Sequence, residues 1–313
     1  MQNSRKSGDN TLADALSHRL AMFGAFRSVD AAFDFEPKPT ARLGASAATL
    51  RSSHSVRSVA VHPGTMSWHE LHSPLHEESA AFLATLLGGD VVTTEHGGLG
   101  TYSTVLSDGL QVAGALQTEH GKPAHWNTFV RVPNVDLLCE IALSLGGSVR
   151  VEPSGIIGLD RRGIISDPTG ASLTIIAGGD DRRTVGAGAL GWDELRSIDP
   201  MESVRFWCSL FEWTASPIIT ARDAQGVMLL NGGRPVASVQ MAMPTEARSR
   251  WLPVATVRRD QFDSAVYQAI RAGARISVAP SPHGILDRCG IFVDPAGAEF
   301  AIGAEPVVAI AAA

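Results

Sequence analysis

The sequence predicts an α+β protein in which one module occurs twice in tandem. The motif Trp-x-Glu-Leu at residues 68–71 returns 124 residues later, at residues 192–195. Near the end of each copy, Leu-Asp-Arg-x-Gly-Ile and then Asp-Pro-x-Gly-Ala follow one another, at residues 159–171 and 286–298. The spacing between the copies grows by only a few residues across a whole module, so the chain contains two duplicated domains rather than the short units of a solenoid.

Each module is predicted to consist of two βαβββ units. Hydrophobic periodicity indicates an opening strand and a helix, followed by two or three strands with glycine-containing turns. A second strand and helix follow, and the module closes with a hairpin whose turn is Asp-Pro-x-Gly, because proline fits the second turn position and glycine tolerates positive φ. The predicted strand-helix pairs begin with strands 66–71, 129–132, 190–195 and 254–257, and their helices end near Gly88, Leu145, Phe211 and Ala272.

We expect four segments along the chain. Residues 1–63 form an N-terminal extension, in which 11–33 has Leu and Phe at helical spacing and 37–62 is a linker rich in Ser, Ala, Arg and Pro. The amphipathic helix docks on the core, meets a partner chain or lies on a membrane surface. Module 1 then covers 64–178, a short linker covers 179–189, and module 2 covers 190–306.

Composition indicates a soluble globular protein. The 313 residues are 44% hydrophobic and 19% charged, with a net charge of −6 and a pI near 5.9. We expect no nucleic-acid partner, since that would require a basic face. No apolar run reaches membrane-spanning length, and polar residues interrupt the apolar positions that a signal peptide needs. We therefore expect a cytoplasmic monomer or homodimer that does not bind membranes.

The repeated motifs resemble those of the vicinal oxygen chelate superfamily, and more narrowly its tandem glyoxalase-like and bleomycin resistance-like proteins. The resemblance covers about residues 65–305 and depends on the three motifs above, together with a Trp before the fifth strand, in the same order twice. It implies modules whose paired βαβββ units form cupped mixed sheets. It does not imply one activity, because this superfamily includes lyases, isomerases, ring-cleaving dioxygenases and drug-binding proteins.

The resemblance also implies a divalent ion held in the cup by His and Glu, where it polarises a substrate. The implied ligand positions are Trp68, Asn127 and Thr174 in module 1 and Trp192, Leu252 and Ala301 in module 2. Since a divalent ion needs several carboxylate or imidazole donors at once, we expect no metal, and no other cofactor is indicated. The alternative is a displaced site of Glu70, His72, His125 and Asn127, although these side chains are equally consistent with exposed polar residues at strand ends.

The candidate catalytic residues are two acids, a histidine and two arginines. Glu70 and Glu194 share a strand face with the tryptophans of the opening strands, while Arg161 and Arg288 precede the closing hairpins. A Glu-Arg pair either fixes the rim of the cup or divides into a general base and an anion-binding group. His72 belongs to the same set. The candidate ligand-binding residues are Trp68, Trp192, Asn127, Thr174, Tyr102 and His125.

Two classes of function remain open, and both use a small organic ligand. In the first, the protein is an enzyme, namely a metal-independent lyase, isomerase or hydrolase of a carbonyl-bearing or aromatic metabolite. In the second, it binds or sequesters a compound without chemistry, as resistance proteins do. A metal-dependent glyoxalase or dioxygenase would need the displaced histidine site. Because Leu252 and Ala301 make the cup of module 2 more apolar, we expect any chemistry in module 1.

Overall fold

The computed structural model describes residues 56–96, 100–155, 161–178, 182–219, 224–244 and 246–305, so the helix predicted within 11–33 lies outside the described residues. The helices are α1 (His76–Leu87), α2 (Val135–Ser144), α3 (Pro200–Phe211) and α4 (Phe262–Arg271). The strands are β1 (Arg57–Ala60), β2 (Met66–Ser73), β3 (Asp90–His96), β4 (Gly100–Ser107), β5 (Leu110–Gln117), β6 (His125–Arg131), β7 (Ser148–Ser154), β8 (Arg161–Ser166), β9 (Ser172–Ala177), β10 (Arg182–Val185), β11 (Ala189–Ser197), β12 (Thr214–Ile219), β13 (Ala224–Asn231), β14 (Arg234–Met241), β15 (Arg250–Val257), β16 (Arg275–Pro282), β17 (Arg288–Val293) and β18 (Glu299–Ala304).

Each module forms one eight-stranded mixed sheet. The strand order is β3-β4-β5-β2-β6-β9-β8-β7 in module 1 and β12-β13-β14-β11-β15-β18-β17-β16 in module 2. Strand β2 runs parallel to β5 and antiparallel to β6, and β6 runs parallel to β9, so each βαβββ unit supplies four adjacent strands. The predicted α+β class and the paired βαβββ units are confirmed.

Short sequence signals begin and end the helices. Asn134 caps α2 by accepting the N–H of Leu137, and Asp199 caps α3 in the same way. Gly88 ends α1 in the left-handed conformation, with φ of 63°. Leu71 of β2 packs with the buried residues of α1. Because side chains alternate along a strand, its neighbours Glu70 and His72 point to the opposite face, which these helices do not cover.

The two modules share their hydrophobic cores. One core joins α1 and β5 of module 1 to α4 and β18 of module 2, with Phe82 and Phe300 in edge-to-face contact at a centroid distance of 5.5 Å. The other joins α2 and β9 of module 1 to α3 and β14 of module 2, with Trp207 fully buried at its centre. Each first unit therefore buries its apolar face against the second unit of the other module, and neither module contains a complete core of its own.

The segments predicted as linkers contribute a small third sheet of two strands. β1, from the end of the predicted N-terminal linker, pairs antiparallel with β10, from the segment predicted to connect the modules. Arg183 of β10 donates to the carbonyl of Met66 at 2.7 Å. Ordered pairing thus extends beyond both module boundaries that the sequence suggested. No helix in the described ranges combines the length and apolar character needed to span a membrane.

Candidate functional site

The face of the module 1 sheet opposite α1 and α2, called here the module 1 cup, carries most of the predicted polar site residues. On β2 it presents Trp68, Glu70 and His72, and the strand register places Asn127 of β6 opposite Glu70. Glu70 is only 6% exposed. Burial of a carboxylate is unfavourable unless hydrogen bonds compensate it, so the partners of Glu70 decide what this face can do.

Glu70 and His72 form the shortest of these contacts. Nε2 of His72 lies 2.6 Å from Oε1 of Glu70 and 3.0 Å from Nδ2 of Asn127. A single ring nitrogen makes one strong in-plane hydrogen bond, and the carboxylate oxygen is both the nearer partner and the stronger acceptor, so we assign the N–H of Nε2 to Glu70. Nδ1 of His72 makes none of the hydrogen bonds found among the described residues. The histidine is therefore oriented by Glu70, and its second nitrogen remains available to a ligand.

Tyr102 of β4 completes the environment of Glu70. Its hydroxyl accepts a hydrogen bond from Nε1 of Trp68 at 3.1 Å and is also hydrogen-bonded to Glu70. Burial, followed by the charge of Glu70, raises the pKa of Tyr102 well above its usual range, so the phenol keeps its proton. Gly114 of β5 makes this position possible, since a Cβ there would lie 2.0 Å from the Tyr102 hydroxyl oxygen.

Two further predicted residues line the same face. Thr174 of β9 lies next to Phe129 of β6 in the sheet. Its Oγ1 is buried and has no hydrogen-bond partner among the described residues. His125 lies at the exposed edge, with its ring centroid 5.1 Å from that of His72. Partial burial lowers the pKa of His125, and His72 lowers it further. The cup therefore contains an unpaired hydroxyl at its floor and two imidazoles towards its edge.

The structure separates the two predicted arginines from the cup. Arg161 lies on the helix side of the sheet, where it forms a two-point ion pair with Asp136 of α2. Arg288 pairs with Asp263 and lies over the ring of Phe262, with its guanidinium carbon 4.5 Å from the ring centroid. The predicted Glu-Arg pairs do not form, because a side chain on the helix face cannot reach the opposite face of the same sheet.

The arginine that does face the module 1 cup is Arg162, which the sequence interpretation missed. A Cβ on Gly163 would contact Val135 and Cys139 of α2, so Gly163 faces the helix and its neighbour Arg162 faces the cup. The charge of Arg162 acts on Tyr102, although their strands are five positions apart in the sheet order.

The corresponding face of module 2, the module 2 cup, is filled differently. Glu194 is 3% exposed and pairs with His283 at 2.7 Å and Arg196 at 3.4 Å. Trp192 donates from Nε1 to Ser238, the counterpart of Gly114. The remaining cup residues form an apolar cluster of Trp192, Leu252, Val254, Leu286, Cys289, Ile291 and Ala301. His283 was also missed, because it comes from the β16–β17 loop and no motif indicated it.

The donor set does not fit the divalent ion that the fold family implies. The six implied positions carry two tryptophans, an asparagine, a threonine, a leucine and an alanine. Glu70 and His72 bond to one another, and the described residues contain no group of three His, Cys, Asp or Glu side chains placed to hold a metal ion. The charge of Arg162, which reaches this face, would repel a cation.

Comparisons with known proteins agree with this architecture. Residues 189–302 match the family model of the Glyoxalase/Bleomycin resistance protein/Dioxygenase superfamily. The anthracycline biosynthesis protein DnrV of Streptomyces peucetius is 28% identical over 261 residues, which are 77% of this chain and 93% of DnrV.

Two solved structures share the fold over most of their length. The Mn(II)-bound glyoxalase from Novosphingobium aromaticivorans has a TM-score of 0.53 and 13% identity over 80% of this chain and 84% of that chain. The 2,3-dioxygenase LapB from Pseudomonas sp. KL28 has a TM-score of 0.53 and 12% identity over 79% of this chain and 94% of that chain. The predicted resemblance to the glyoxalase/bleomycin resistance/dioxygenase superfamily is confirmed, because module 2 matches the family model and the two sheet-bearing modules together share the fold of these structures.

Proposed function

We propose that the module 1 cup binds a planar, carbonyl-bearing organic molecule and moves a proton on it. The observation that carries this proposal is the Glu70–His72 pair, in which Glu70 is buried and His72 is partly buried, joined at 2.6 Å on a sheet face that none of the described helices covers. A carboxylate that orients an imidazole and stabilises its protonated form is a general-base arrangement.

The roles follow from the hydrogen bonds. Glu70 accepts hydrogen bonds from Nε2–H of His72 and from the Tyr102 hydroxyl. We therefore assign the role of general base, which accepts the proton of the substrate, to Nδ1 of His72 rather than to Glu70, the base expected from the sequence. His72 takes a proton from a carbon next to the carbonyl. The C–H electron pair forms a C=C bond and the carbonyl π pair moves onto oxygen, which gives an enolate. In a substrate whose enolate is conjugated with a further C=C bond, return of the proton to the far carbon of that bond shifts the double bond with no net change of charge. The Thr174 hydroxyl is a suitable donor to the enolate oxygen.

The substrate class is supported by the relative and by the shape of the cup. DnrV is described as an anthracycline biosynthesis protein, and anthracyclines are planar, aromatic and rich in carbonyl groups. Trp68 and Phe129 lie opposite one another on adjacent strands of the cup face and offer flat apolar surface to such a molecule. We infer that module 2 is a scaffold, because apolar side chains occupy its cup.

Proton exchange tests this proposal. The probe is 2-tetralone, an aromatic ketone with exchangeable C–H bonds, followed by NMR in D₂O with the full chain. We expect the protein to accelerate exchange and Glu70→Gln to reduce that acceleration by about 100-fold or more. Glu194→Gln, the same change in module 2, should leave it nearly unchanged. Tight binding of 2-tetralone without exchange would support sequestration instead, and equal losses in both variants would place the chemistry at a shared site.

A further inference from the structure

The module 1 cup contains a cation that neither the proposed proton transfer nor the fold requires. Arg162 faces the cup, as the contacts of Gly163 with α2 establish. In the sheet Arg162 lies next to Ile176 of β9, and Ile164 lies next to Thr174, so Arg162 shares a face with the unpaired Thr174 hydroxyl. Arg162 forms none of the ion pairs found among the described residues, whereas its neighbour Arg161 is paired with Asp136.

Among the described residues, Glu70, the carboxylate of the cup, forms an ion pair with His72 and none with Arg162. Glu70 already accepts hydrogen bonds from His72 and Tyr102. Module 2 has Cys289 at the place of Arg162, within an apolar cluster, so the repeat itself does not need a cation here. A half-buried guanidinium without an ion-pair partner, as Arg162 is among the described residues, is costly unless a ligand supplies the negative charge.

We propose that Arg162 binds an ionised oxygen of the ligand, so that the module 1 cup selects planar aromatic anions, with a carboxylate or phenolate at the Arg162 end. This inference rests on the proposed function, since it assigns the charge of the molecule on which His72 acts. The planar guanidinium matches two oxygens at once and tolerates a flat aromatic neighbour. The aromatic ring then lies towards Trp68 and Phe129, and the carbonyl lies towards His72.

Two probes that differ in charge but hardly in shape provide the test. 1-Hydroxy-2-naphthoate is an anion near neutral pH, and 2-acetyl-1-naphthol carries a ketone in place of the carboxylate. Binding of each to the full chain is followed by naphthol fluorescence. We expect the wild type to bind the anion about tenfold or more tightly than the ketone. Added NaCl should weaken the binding of the anion and leave the binding of the ketone unchanged.

The adjacent arginines supply a matched pair of variants. Arg162→Gln should lower the affinity for the anion about tenfold or more and so remove the preference. Arg161→Gln changes a residue on the other face and should leave both affinities unchanged. Arg162→Lys keeps the charge and should retain part of the preference, which separates recognition from a folding defect. Equal affinity of the wild type for both probes, binding of neither, or an anion affinity unaffected by Arg162→Gln would overturn the proposal.

These outcomes are distinguishable from failure of the proposed function. Exchange of 2-tetralone that depends on Glu70, together with no preference for the anion, would refute only the role of Arg162. A preference for the anion that depends on Arg162, together with exchange that Glu70→Gln leaves intact, would refute only the proton transfer.

Discussion

His69 and Asp193 occupy the same position in the two copies of the repeat, and they contact each other where the modules meet. Nε2 of His69 lies 2.8 Å from Oδ1 of Asp193, and both side chains are buried, at 4% and 0% exposure. Burial lowers the pKa of the nearby Arg183, and the charge of Asp193 partly offsets this effect. The two copies have therefore diverged at one position into complementary partners, which binds module 1 specifically to module 2.

The Asp193 carboxylate is expected to be a major source of stability. Asp193→Ala removes the partner of His69 and the charge that compensates Arg183, so the free energy of unfolding should fall by about 2–4 kcal/mol. Asp193→Asn keeps an acceptor for His69 and should cost less. Urea denaturation measures both. Asp136→Ala, which removes an exposed ion pair to Arg161, serves as the control and should leave the midpoint nearly unchanged; an equal loss there would contradict a special role for Asp193.

The two Asp-Pro-x-Gly turns offer a second matched comparison. Asp167 accepts at Oδ2 from Ser203 at 2.8 Å and from Nε1 of Trp207 at 3.0 Å. Oδ2 of its counterpart Asp294 has no hydrogen-bond partner among the described residues. Asp167→Asn should therefore cost about 2–4 kcal/mol, because an amide N–H₂ would face two donors. Asp294→Asn should be neutral or stabilising at neutral pH, and denaturation of the two variants side by side tests the difference.

The pH dependence of the Asp294 variant gives an independent check. Burial raises the pKa of Asp294 above its usual range despite backbone hydrogen bonds from the turn. A raised folded-state pKa means that the contribution of this carboxyl is present below its unfolded-state pKa and is lost as pH rises through the folded-state value. Relative to wild type, Asp294→Asn should gain stability as pH rises from acid towards neutral. A difference that stays constant over this range would show that the carboxyl does not titrate differently on folding.

Truncation tests how far the N-terminal extension belongs to the fold. A chain beginning at residue 56 keeps β1, whereas one beginning at residue 64 loses its pairing with β10 and the hydrogen bond from Asn231 to the carbonyl of Pro63. Both should unfold cooperatively, because both shared cores remain, but the shorter chain should be less stable by on the order of 1–3 kcal/mol. Calorimetry of the two chains measures this. Loss of a cooperative transition in the longer chain would mean that residues 1–55 cover part of the core.

The sequence predicted the architecture because each module repeats its motifs in one order and strand alternation is a local property. It could not predict that each hydrophobic core contains one unit from each module. The contact between Phe82 and Phe300 depends on how the two sheets dock, which no hydrophobic period records.

In the candidate site, too, the spacing of residues within a strand was predictable, and the packing between elements was not. Glu70 and His72 followed from their spacing on one strand. Arg161 and Arg162 are adjacent, and which of them faces the cup depends on a shift of one residue in the strand. The packing of Gly163 against Val135 and Cys139 fixes this choice, and only the structure reveals that contact.

The donor set of the cup predicts that no metal ion is held tightly, and this can be measured directly. Protein offered zinc, nickel, manganese or iron and then dialysed should hold less than about one ion per chain, since a stable site needs three or more suitable donors and the described residues contain no such group. Elemental analysis gives the ratio. Stoichiometric metal that His72→Ala removes would restore the displaced site of Glu70, His72, His125 and Asn127 and favour a glyoxalase or dioxygenase reaction.

Gly114 and Tyr102 should act as one functional unit. A Cβ on Gly114 would lie 2.0 Å from the Tyr102 hydroxyl oxygen and 2.7 Å from its Cζ, so Gly114→Ala must displace the ring that hydrogen-bonds to Glu70. We expect Gly114→Ala and Tyr102→Ala each to reduce 2-tetralone exchange about tenfold or more. The double variant should lose no more than either single variant, because the effects of substitutions that remove the same interaction do not add.

Ser238→Ala, at the matching place in module 2, is the control and removes only the hydrogen bond to Trp192. It should cost about 1 kcal/mol of stability and leave exchange unchanged. Additive losses in the double variant would show that Gly114 acts on the strand itself rather than through Tyr102.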